Sequence, residues 1–346
     1  MTNNTFRICN QVIHPGDRIS IKLPSPKLYT YTPIDIPVNI INSKKPGPRL
    51  FVCAAIHGDE ISGVEVIRRL LKSPVLKKLK KGALIAVPIV NMYGFIYQSR
   101  YLPDRRDLNR NFPGRKAGSL TSHLAKLFMD EIVRQCTHGI DLHSGTIHRR
   151  NLPQIRVNLE QSGTERLAKA FNAPVILSAN LRDGSLRRAA SDIGIPVMVY
   201  EGGEALRFNE IAIRTGLRGV LNVMKELGMI EKITSHKKLN NMRPIVFRSS
   251  IWIRAPRSGI MHTSKSLGQK VEKGERIGVI ADPFGSEEID IISPRTGIII
   301  GHTNIPLINE GEALFHIACF KKLKGSQSNI DNLEDLSLIY NDHTAQ

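Results

Sequence analysis

The sequence predicts an α/β domain with a largely parallel β-sheet, followed by a small all-β module. Between about residues 49 and 228, apolar runs of strand length alternate with helical patterns. This alternation is typical of a parallel sheet covered by helices. After about residue 235 the helical period disappears, and short β runs with frequent Gly and Pro replace it. Two similar units within residues 245–320 indicate an internal β repeat.

The predicted strands are continuous apolar runs, because strands covered on both faces have no polar side. These runs are Leu50–Ile56, Ala83–Val90, Gly139–Leu142, Val175–Leu177 and Pro196–Tyr200. The predicted helices have apolar residues spaced three and four apart. They cover Ile61–Leu71, the segment from Leu120 to Val133, and the segment from Ile211 to Leu227. Strands and helices thus alternate along the main domain.

The internal repeat lies in the C-terminal module. Ala255–Ile260 recurs as Ser293–Ile298, and Val271–Glu275 recurs as Ile308–Glu312. The module resembles the biotinyl/lipoyl-type barrel-sandwich, whose carrier versions present a lysine at a tight hairpin. The segment that joins the repeats, residues 281–288, contains no lysine. We therefore expect a structural or substrate-restricting barrel-sandwich module rather than a carrier.

The boundaries follow from these patterns. We expect a main α/β domain over residues 1–240, of which residues 1–48 form a β-rich N-terminal extension. The C-terminal β domain covers residues 245–320, and residues 321–346 form a polar tail whose composition predicts loose order.

The sequence also predicts a cytoplasmic location. No apolar run approaches the roughly 20 residues of a membrane-spanning helix, and the N-terminus lacks the apolar core of a secretory signal. Four cysteines lie far apart without a CxxC pair. This spacing argues against a cysteine metal cluster and fits a reducing compartment.

The formal net charge of +18 requires an explanation. Three explanations are a solvated basic surface, attraction of an anionic substrate, and binding of nucleic acid. The basic residues are spread along the chain and only 5% of residues are aromatic, so platforms for stacking bases are sparse. The sequence therefore argues against a nucleic-acid partner, and it does not indicate an oligomeric state.

A metal site is indicated by His57-Gly58-Asp59-Glu60, which follows a predicted strand and opens the next helix. Functional side chains concentrate at the carboxyl ends of such strands, and zinc accepts imidazole nitrogen and carboxylate oxygen. A Glu at a helix start can also favour the helix dipole, so this motif alone is a weak signal.

His143 is the candidate third ligand, because it ends another short apolar strand and emerges at the same sheet edge. His138 begins that strand and lies at its opposite end, and His148 follows in a polar, basic stretch. Two His and one Glu, with one position left open, are the ligand set of many catalytic zinc sites.

A general base is indicated at Glu201, which ends the apolar run Pro196–Tyr200 and precedes two glycines. A carboxylate beside a metal can take a proton from water and pass it to a leaving nitrogen. The alternative is a surface Glu at a strand end. Asn109 and Arg110, within a basic loop over residues 100–114, can together grip one carboxylate.

Taken together, HGDE, DLNRNFPG, DLHSG and YEGGE, in this order, resemble the succinylglutamate desuccinylase/aspartoacylase family, within the zinc carboxypeptidase-like group. The resemblance covers about residues 30–320. It implies a mixed, mostly parallel sheet flanked by helices, with the β module beside the active-site mouth. Residues 1–240 would then be a zinc-dependent catalytic domain.

The resemblance also implies roles for individual residues. The ligands of one zinc ion per chain would be His57, Glu60 and His143, with Glu201 as the general base. The residues implied to bind substrate are Asn109, Arg110, Arg100 and Arg188. Arg100 lies further from Asn109 than in aspartoacylases proper, so Arg105 and Arg106 remain alternatives to it. Arg187 remains an alternative to Arg188.

The implied activity is hydrolysis of the amide bond of an N-acyl amino acid by metal-activated water. The sequence leaves two alternatives open. A metallopeptidase of the same chemistry would trim a terminal residue from a peptide or a modified protein. A binding or carrier protein would have lost catalysis, which the complete ligand set and Glu201 argue against. The expected partner is a small N-acyl amino acid or a short peptide, with no membrane.

Overall fold

The computed structural model describes residues 4–161, 163–231 and 244–320. Within these ranges the α-helices are α1 (Ser62–Lys72), α2 (Met92–Ile96), α3 (Leu120–Glu131), α4 (Thr164–Phe171), α5 (Leu186–Asp192) and α6 (Glu210–Glu226). Short 3₁₀ turns cover Pro74–Lys78, Leu108–Arg110 and Val133–Gln135. No helix within the described ranges has the length and apolar character needed to cross a bilayer.

The strands of the N-terminal part are β1 (Phe6–Ile8), β2 (Gln11–Ile13), β3 (Arg18–Pro24), β4 (Asp35–Asn42), β5 (Arg49–Ala54), β6 (Ala83–Val87), β7 (His138–Gly145), β8 (Arg149–Val157), β9 (Val175–Ser178) and β10 (Val197–Glu204). Those of the C-terminal part are β11 (Ile245–Phe247), β12 (Ser250–Arg254), β13 (Gly259–Thr263), β14 (Lys270–Val271), β15 (Arg276–Ala281), β16 (Glu288–Ile292), β17 (Gly297–Thr303), β18 (Leu307–Ile308) and β19 (Ala313–Cys319).

The central sheet is mixed, with the strand order β12-β19-β17-β8-β10-β7-β5-β6-β4-β3. Its middle strands β10, β7, β5 and β6 are parallel to one another. The strands on both sides of this centre pair in antiparallel fashion. These are β4 and β3 on one side and β8, β17, β19 and β12 on the other. The expected mixed α/β sheet is confirmed, but the parallel strands are confined to its centre.

The parallel strands are covered on both faces. Phe51 and Cys53 of β5 belong to a core with α3 and α5, whereas Leu50, Val52 and Ala54 belong to a second core with α1, α4 and α6. Successive strand residues point to opposite faces, so one apolar run supplies both cores. This explains why β5 has no polar residue after Arg49.

The two repeat units of the C-terminal module pair with each other reciprocally. Gly259 of the first unit pairs with Ile308 of the second, and Gly297 of the second pairs with Val271 of the first. Gly259 corresponds to Gly297 in the repeat, and Val271 corresponds to Ile308. Each unit therefore supplies a partner strand to the other, so the two units are interleaved in the fold. The finer assignment of this all-β module to the barrel-sandwich class stays a prediction.

Part of the C-terminal module continues the central sheet, whereas its strands β16, β15, β13 and β18 form a separate four-stranded sheet. β17 pairs with β8, so β17, β19 and β12 extend the sheet of the α/β domain. β11 pairs in parallel with β9 and adds a second connection. The sequence does not predict the pairing between β17 and β8. The segment that forms β8 contains Arg149, Arg150, Pro153 and Arg156, and this composition indicates a basic loop. The predicted polar tail lies outside the described residues.

Candidate active site

The site lies at the carboxyl ends of three neighbouring parallel strands. His57 follows β5, His143 lies near the end of β7, and Glu201 lies near the end of β10. In the β7–β10 pair, His143 and Glu201 are direct partners. Residues that are opposite each other in a sheet point to the same face, so both side chains project into one cavity.

The turn that contains His57 depends on a close approach between two backbone segments. A Cβ atom on Gly58 would lie 1.9 Å from the carbonyl carbon of Gly94, so only glycine fits there. Asn91 fixes the opposing segment, because its side chain accepts a hydrogen bond from the Gly94 N–H and donates to the Ile56 carbonyl. This packing sets the position of His57 and Glu60.

Glu60 lies between the two histidines. Its Oε1 is 2.7 Å from Nδ1 of His57, and its Oε2 is 2.8 Å from Nδ1 of His143. The backbone N–H of Ser144 also donates to Oε2 at 3.0 Å. One candidate ligand atom from each of the three residues lies within 4.8 Å of the others, and all three residues are buried. Two imidazole nitrogens and a carboxylate oxygen are donors that suit Zn²⁺.

The outer nitrogen of each histidine contacts a further carboxylate. Nε2 of His57 is 3.1 Å from Asp107, and Nε2 of His143 is 2.8 Å from Asp141. An ionised carboxylate only accepts hydrogen bonds, so each Nε2 carries a proton and Nδ1 faces the centre of the site. Histidines that bind metals are usually held in this way. Sequence reasoning missed both aspartates, although Asp141 shares a strand face with His143.

The charged groups of the site shift one another's pKa values. Burial by itself lowers the pKa of His143, but Asp141 and Glu60 outweigh burial and raise this pKa well above its ordinary value. For His57, burial is likewise outweighed by Glu60 and Asp107, and the pKa is raised. Burial would raise the pKa of Glu60, but the two histidines lower it far below its usual range. The centre is therefore a buried cluster of opposite charges.

Glu201 has two neighbours from β8. Its Oε2 accepts a hydrogen bond from Nδ2 of Asn151 at 3.0 Å, and its Oε1 is 3.8 Å from Nε of Arg156. The nearby Glu204 does not line the cavity among the described residues. Glu204 accepts hydrogen bonds from the backbone N–H of His148 and from Asn304 instead.

Arg100, Asn109 and Arg110 all line the same cavity as Glu201. Arg100 donates to Asp107 at 2.8 Å and to Glu60 at 3.3 Å, so carboxylates of the chain already engage it. Oδ1 of Asn109 accepts from the backbone N–H of Leu186 at the start of α5, which fixes its side chain. Among residues that the structure describes, Arg105 and Arg106 do not line this cavity.

The adjacent residues Arg187 and Arg188 point in different directions. Arg187 is buried and lines the cavity, where its Nη2 donates to the Asn180 carbonyl and its Nη1 lacks a hydrogen-bond partner among the described residues. Arg188 forms ion pairs with Asp183 and Asp192. Among the described residues Arg187 lines the cavity and Arg188 does not, because successive residues of α5 are about 100° apart around the helix. Substrate binding by Arg188 stays a prediction.

The cavity has a volume of about 300 Å³ and a strongly basic lining. Its arginines are Arg100, Arg110, Arg149, Arg156, Arg182 and Arg187. Its acidic residues are Glu60 and Glu201. Burial and the neighbouring Arg156 lower the pKa of Arg187 to about 10, which reflects this excess of positive charge. Trp252 of β12 also lines the cavity and stacks on His316.

Comparison with known proteins identifies the family. The model of the succinylglutamate desuccinylase/aspartoacylase catalytic domain matches residues 46–227, more than half of the chain. The N-α-acetyl-L-2,4-diaminobutyric acid deacetylase of Halomonas elongata is 25% identical over 305 residues, which cover 82% of this chain and 85% of that protein.

Solved structures agree in fold. A succinylglutamate desuccinylase/aspartoacylase from Rhodobacter sphaeroides has a TM-score of 0.79 at 24% identity and covers 90% of this chain and 98% of its own. The ectoine utilization protein EutE (DoeB) from Ruegeria pomeroyi, with product bound, has a TM-score of 0.80 at 22% identity and covers 92% of this chain and 100% of its own. The chain therefore belongs to the succinylglutamate desuccinylase/aspartoacylase family, whose members are deacylating hydrolases.

Proposed function

We propose that the protein is a zinc-dependent hydrolase that cleaves the amide C–N bond of an N-acyl amino acid or a related small carboxylate. The observation that carries this proposal is the convergence of His57, Glu60 and His143 with Glu201 in one cavity. Family membership supports a deacylating reaction.

The residues present fit a zinc ion. His57, Glu60 and His143 would hold one ion per chain, and Asp107 and Asp141 would orient the two imidazoles. When bound, zinc supplies a Lewis acid that polarises a carbonyl and lowers the pKa of water towards about 7. With His57, Glu60 and His143 as ligands, the site would keep one position for water or substrate, as other catalytic zinc sites do.

The other side chains of the cavity would each have a separate role in the reaction. Glu201 would take a proton from the attacking water and deliver it to the leaving nitrogen. Asn109 and Arg110 would grip the substrate carboxylate. Arg187 would take the role expected of Arg188, because Arg187 lines the cavity and its buried Nη1 has no hydrogen-bond partner among the described residues. Arg100 would stabilise negative charge that develops on the carbonyl oxygen.

The charge of the cavity favours an anionic substrate. Among the described residues, Arg110, Arg149, Arg182 and Arg187 have no carboxylate within 4.0 Å, whereas Arg100 has two. Unpaired arginines that line a cavity attract and orient carboxylates. This arrangement disfavours a substrate with a cationic side chain, such as the one named for the Halomonas elongata relative.

The size of the cavity favours a small substrate over a peptide. A volume of about 300 Å³ is at the lower end for ligand sites, and Trp252 from the all-β module forms part of its wall. We therefore propose that the module restricts substrate size. The metallopeptidase alternative requires room for a chain that continues beyond the cleaved bond.

The proposal is tested by measuring zinc per chain together with hydrolysis of a panel of N-acyl amino acids and short peptides. We expect one zinc per chain in both wild type and Glu201→Gln, with turnover at least about 100-fold lower in the variant. The preferred substrate should be a small N-acyl amino acid. A chain that takes up no zinc would refute the site, and faster cleavage of peptides would favour the metallopeptidase.

A further inference from the structure

The all-β module reaches the proposed general base through β8. Asn151 of β8 pairs on one side with Gly203 of β10 and on the other with Gly301 of β17. β10 carries Glu201, and β17 belongs to the module. One strand residue of the α/β domain therefore lies directly between the strand of the base and the module.

Asn151 donates the hydrogen bond that fixes Glu201. Its Nδ2 is 3.0 Å from Oε2, and among the described residues no other hydrogen bond to the Glu201 carboxylate is present. Arg156 is further away, with Nε 3.8 Å from Oε1. Because a carboxylate only accepts, the amide nitrogen of Asn151 must face Glu201 and its oxygen must face away.

The amide oxygen of Asn151 lies against Gly301. A Cβ atom on Gly301 would be 2.8 Å from Oδ1 of Asn151 and 3.4 Å from Cβ of His316. The first distance is shorter than carbon and oxygen atoms tolerate, so a side chain at this position would push the amide towards Glu201. Asn151 is buried and lines the cavity, so this clash would displace its amide from the place where it meets Glu201.

We propose that Asn151 is a positioning residue for Glu201, and that Gly301 of the all-β module sets the place of the Asn151 amide. The inference rests on the proposed function, because it concerns the base of that reaction. Zinc binding should not depend on it, since among the described residues no hydrogen bond or ion pair joins Asn151 or Gly301 to His57, Glu60 or His143. The module thus affects catalysis in two ways. Gly301 places the Asn151 amide, and Trp252 forms part of the cavity wall.

The test compares Asn151→Ala, Gly301→Ala and the double variant, with kcat, KM, zinc content and melting temperature measured for each. We expect each single variant to lower kcat by about 10- to 100-fold with KM changed by less than about twofold, because a displaced base slows the chemical step. Zinc content should stay at one per chain. In the double variant, Gly301→Ala should add no further loss, since its effect passes through Asn151.

Gly278→Ala is the matched control. It lies in β15 of the same module, and its Cβ would be 2.7 Å from the His262 carbonyl oxygen, so it produces a similar clash away from the cavity. We expect its kcat to equal that of wild type.

The outcomes separate the inference from the proposed function. If wild type turns over and Glu201→Gln does not, unchanged kcat in Asn151→Ala overturns the inference alone. A rise in KM with unchanged kcat makes Asn151 a substrate-binding residue, and additive losses in the double variant remove the link to Gly301. If wild type hydrolyses no substrate of the panel, the proposed function fails and the inference fails with it.

Discussion

Oδ2 of Asp141 lies 2.8 Å from Nε2 of His143, two residues along the same strand. Both residues are buried, and the other oxygen of Asp141 is 3.4 Å from the Cys53 thiol. Strand geometry places residues two apart on one face, so β7 supplies a candidate ligand and the group that orients it. The imidazole is thereby fixed with Nδ1 directed at Glu60.

We expect Asp141→Asn to lower zinc affinity by about 10- to 100-fold, because an amide no longer holds the imidazole as a carboxylate does. Competition with a chelator measures this affinity. Asp130→Asn is a suitable control, since Asp130 pairs with Lys126 and Arg134 on the surface of α3. Equal zinc affinity in Asp141→Asn and wild type would show that Asp141 does not support the metal.

Arg187 and Arg188 provide a matched pair for the substrate site. We expect Arg187→Ala to lower kcat/KM by about 10- to 100-fold, because hydrogen bonds to charged groups contribute about 1.5–3 kcal/mol. Arg188→Ala should change kcat/KM by less than about twofold, since its partners Asp183 and Asp192 lie outside the cavity. Steady-state kinetics with the preferred N-acyl amino acid measures kcat/KM for both variants. A larger loss in Arg188→Ala would contradict the assignment.

Zinc affinity should rise with pH. The pKa of His143 and that of His57 are raised in the metal-free chain, so the folded protein holds these protons to a higher pH than the unfolded chain. Each proton stabilises the metal-free fold below the unfolded pKa of about 6.5, and this stabilisation is lost as pH rises through the raised folded pKa.

Zinc must displace these protons from Nδ1, so binding becomes stronger as they become easier to remove. We expect affinity to increase about tenfold per pH unit for each displaced proton while the pH is below the raised pKa of that histidine. Chelator competition at pH 6.5, 7.5 and 8.5, corrected for protonation of the chelator, measures the slope. An affinity independent of pH would mean that the histidines bind zinc without losing protons.

Much of the candidate site follows from local sequence. His57, His143 and Glu201 each come at or after the end of an apolar run, and parallel strands bring their carboxyl ends to one edge. Asp141 was also within reach of the sequence, because its spacing from His143 puts both on one strand face. The roles of these residues remain proposals, whereas their convergence in one cavity is a feature of the fold.

Other residues could not be found from sequence. Asn151 and Arg156 lie in a polar, Arg-rich stretch whose composition is typical of a loop. The structure instead has a strand there, β8, which pairs with β10, β17 and β9. A strand whose side chains line a polar cavity lacks the apolar pattern that identifies strands. Trp252 is distant in sequence from every motif and reaches the cavity through the module.

The sequence by itself determined the α/β core, the internal repeat and the motifs that identify the family, because these depend on periodicity and on residues close together in the chain. Only the tertiary structure decided that part of the all-β module continues the central sheet, that Arg187 rather than Arg188 faces the cavity, and that Gly301 lies against the amide beside Glu201. These features depend on contacts between residues far apart in the chain, and such contacts exist only after strand order and helix orientation are fixed.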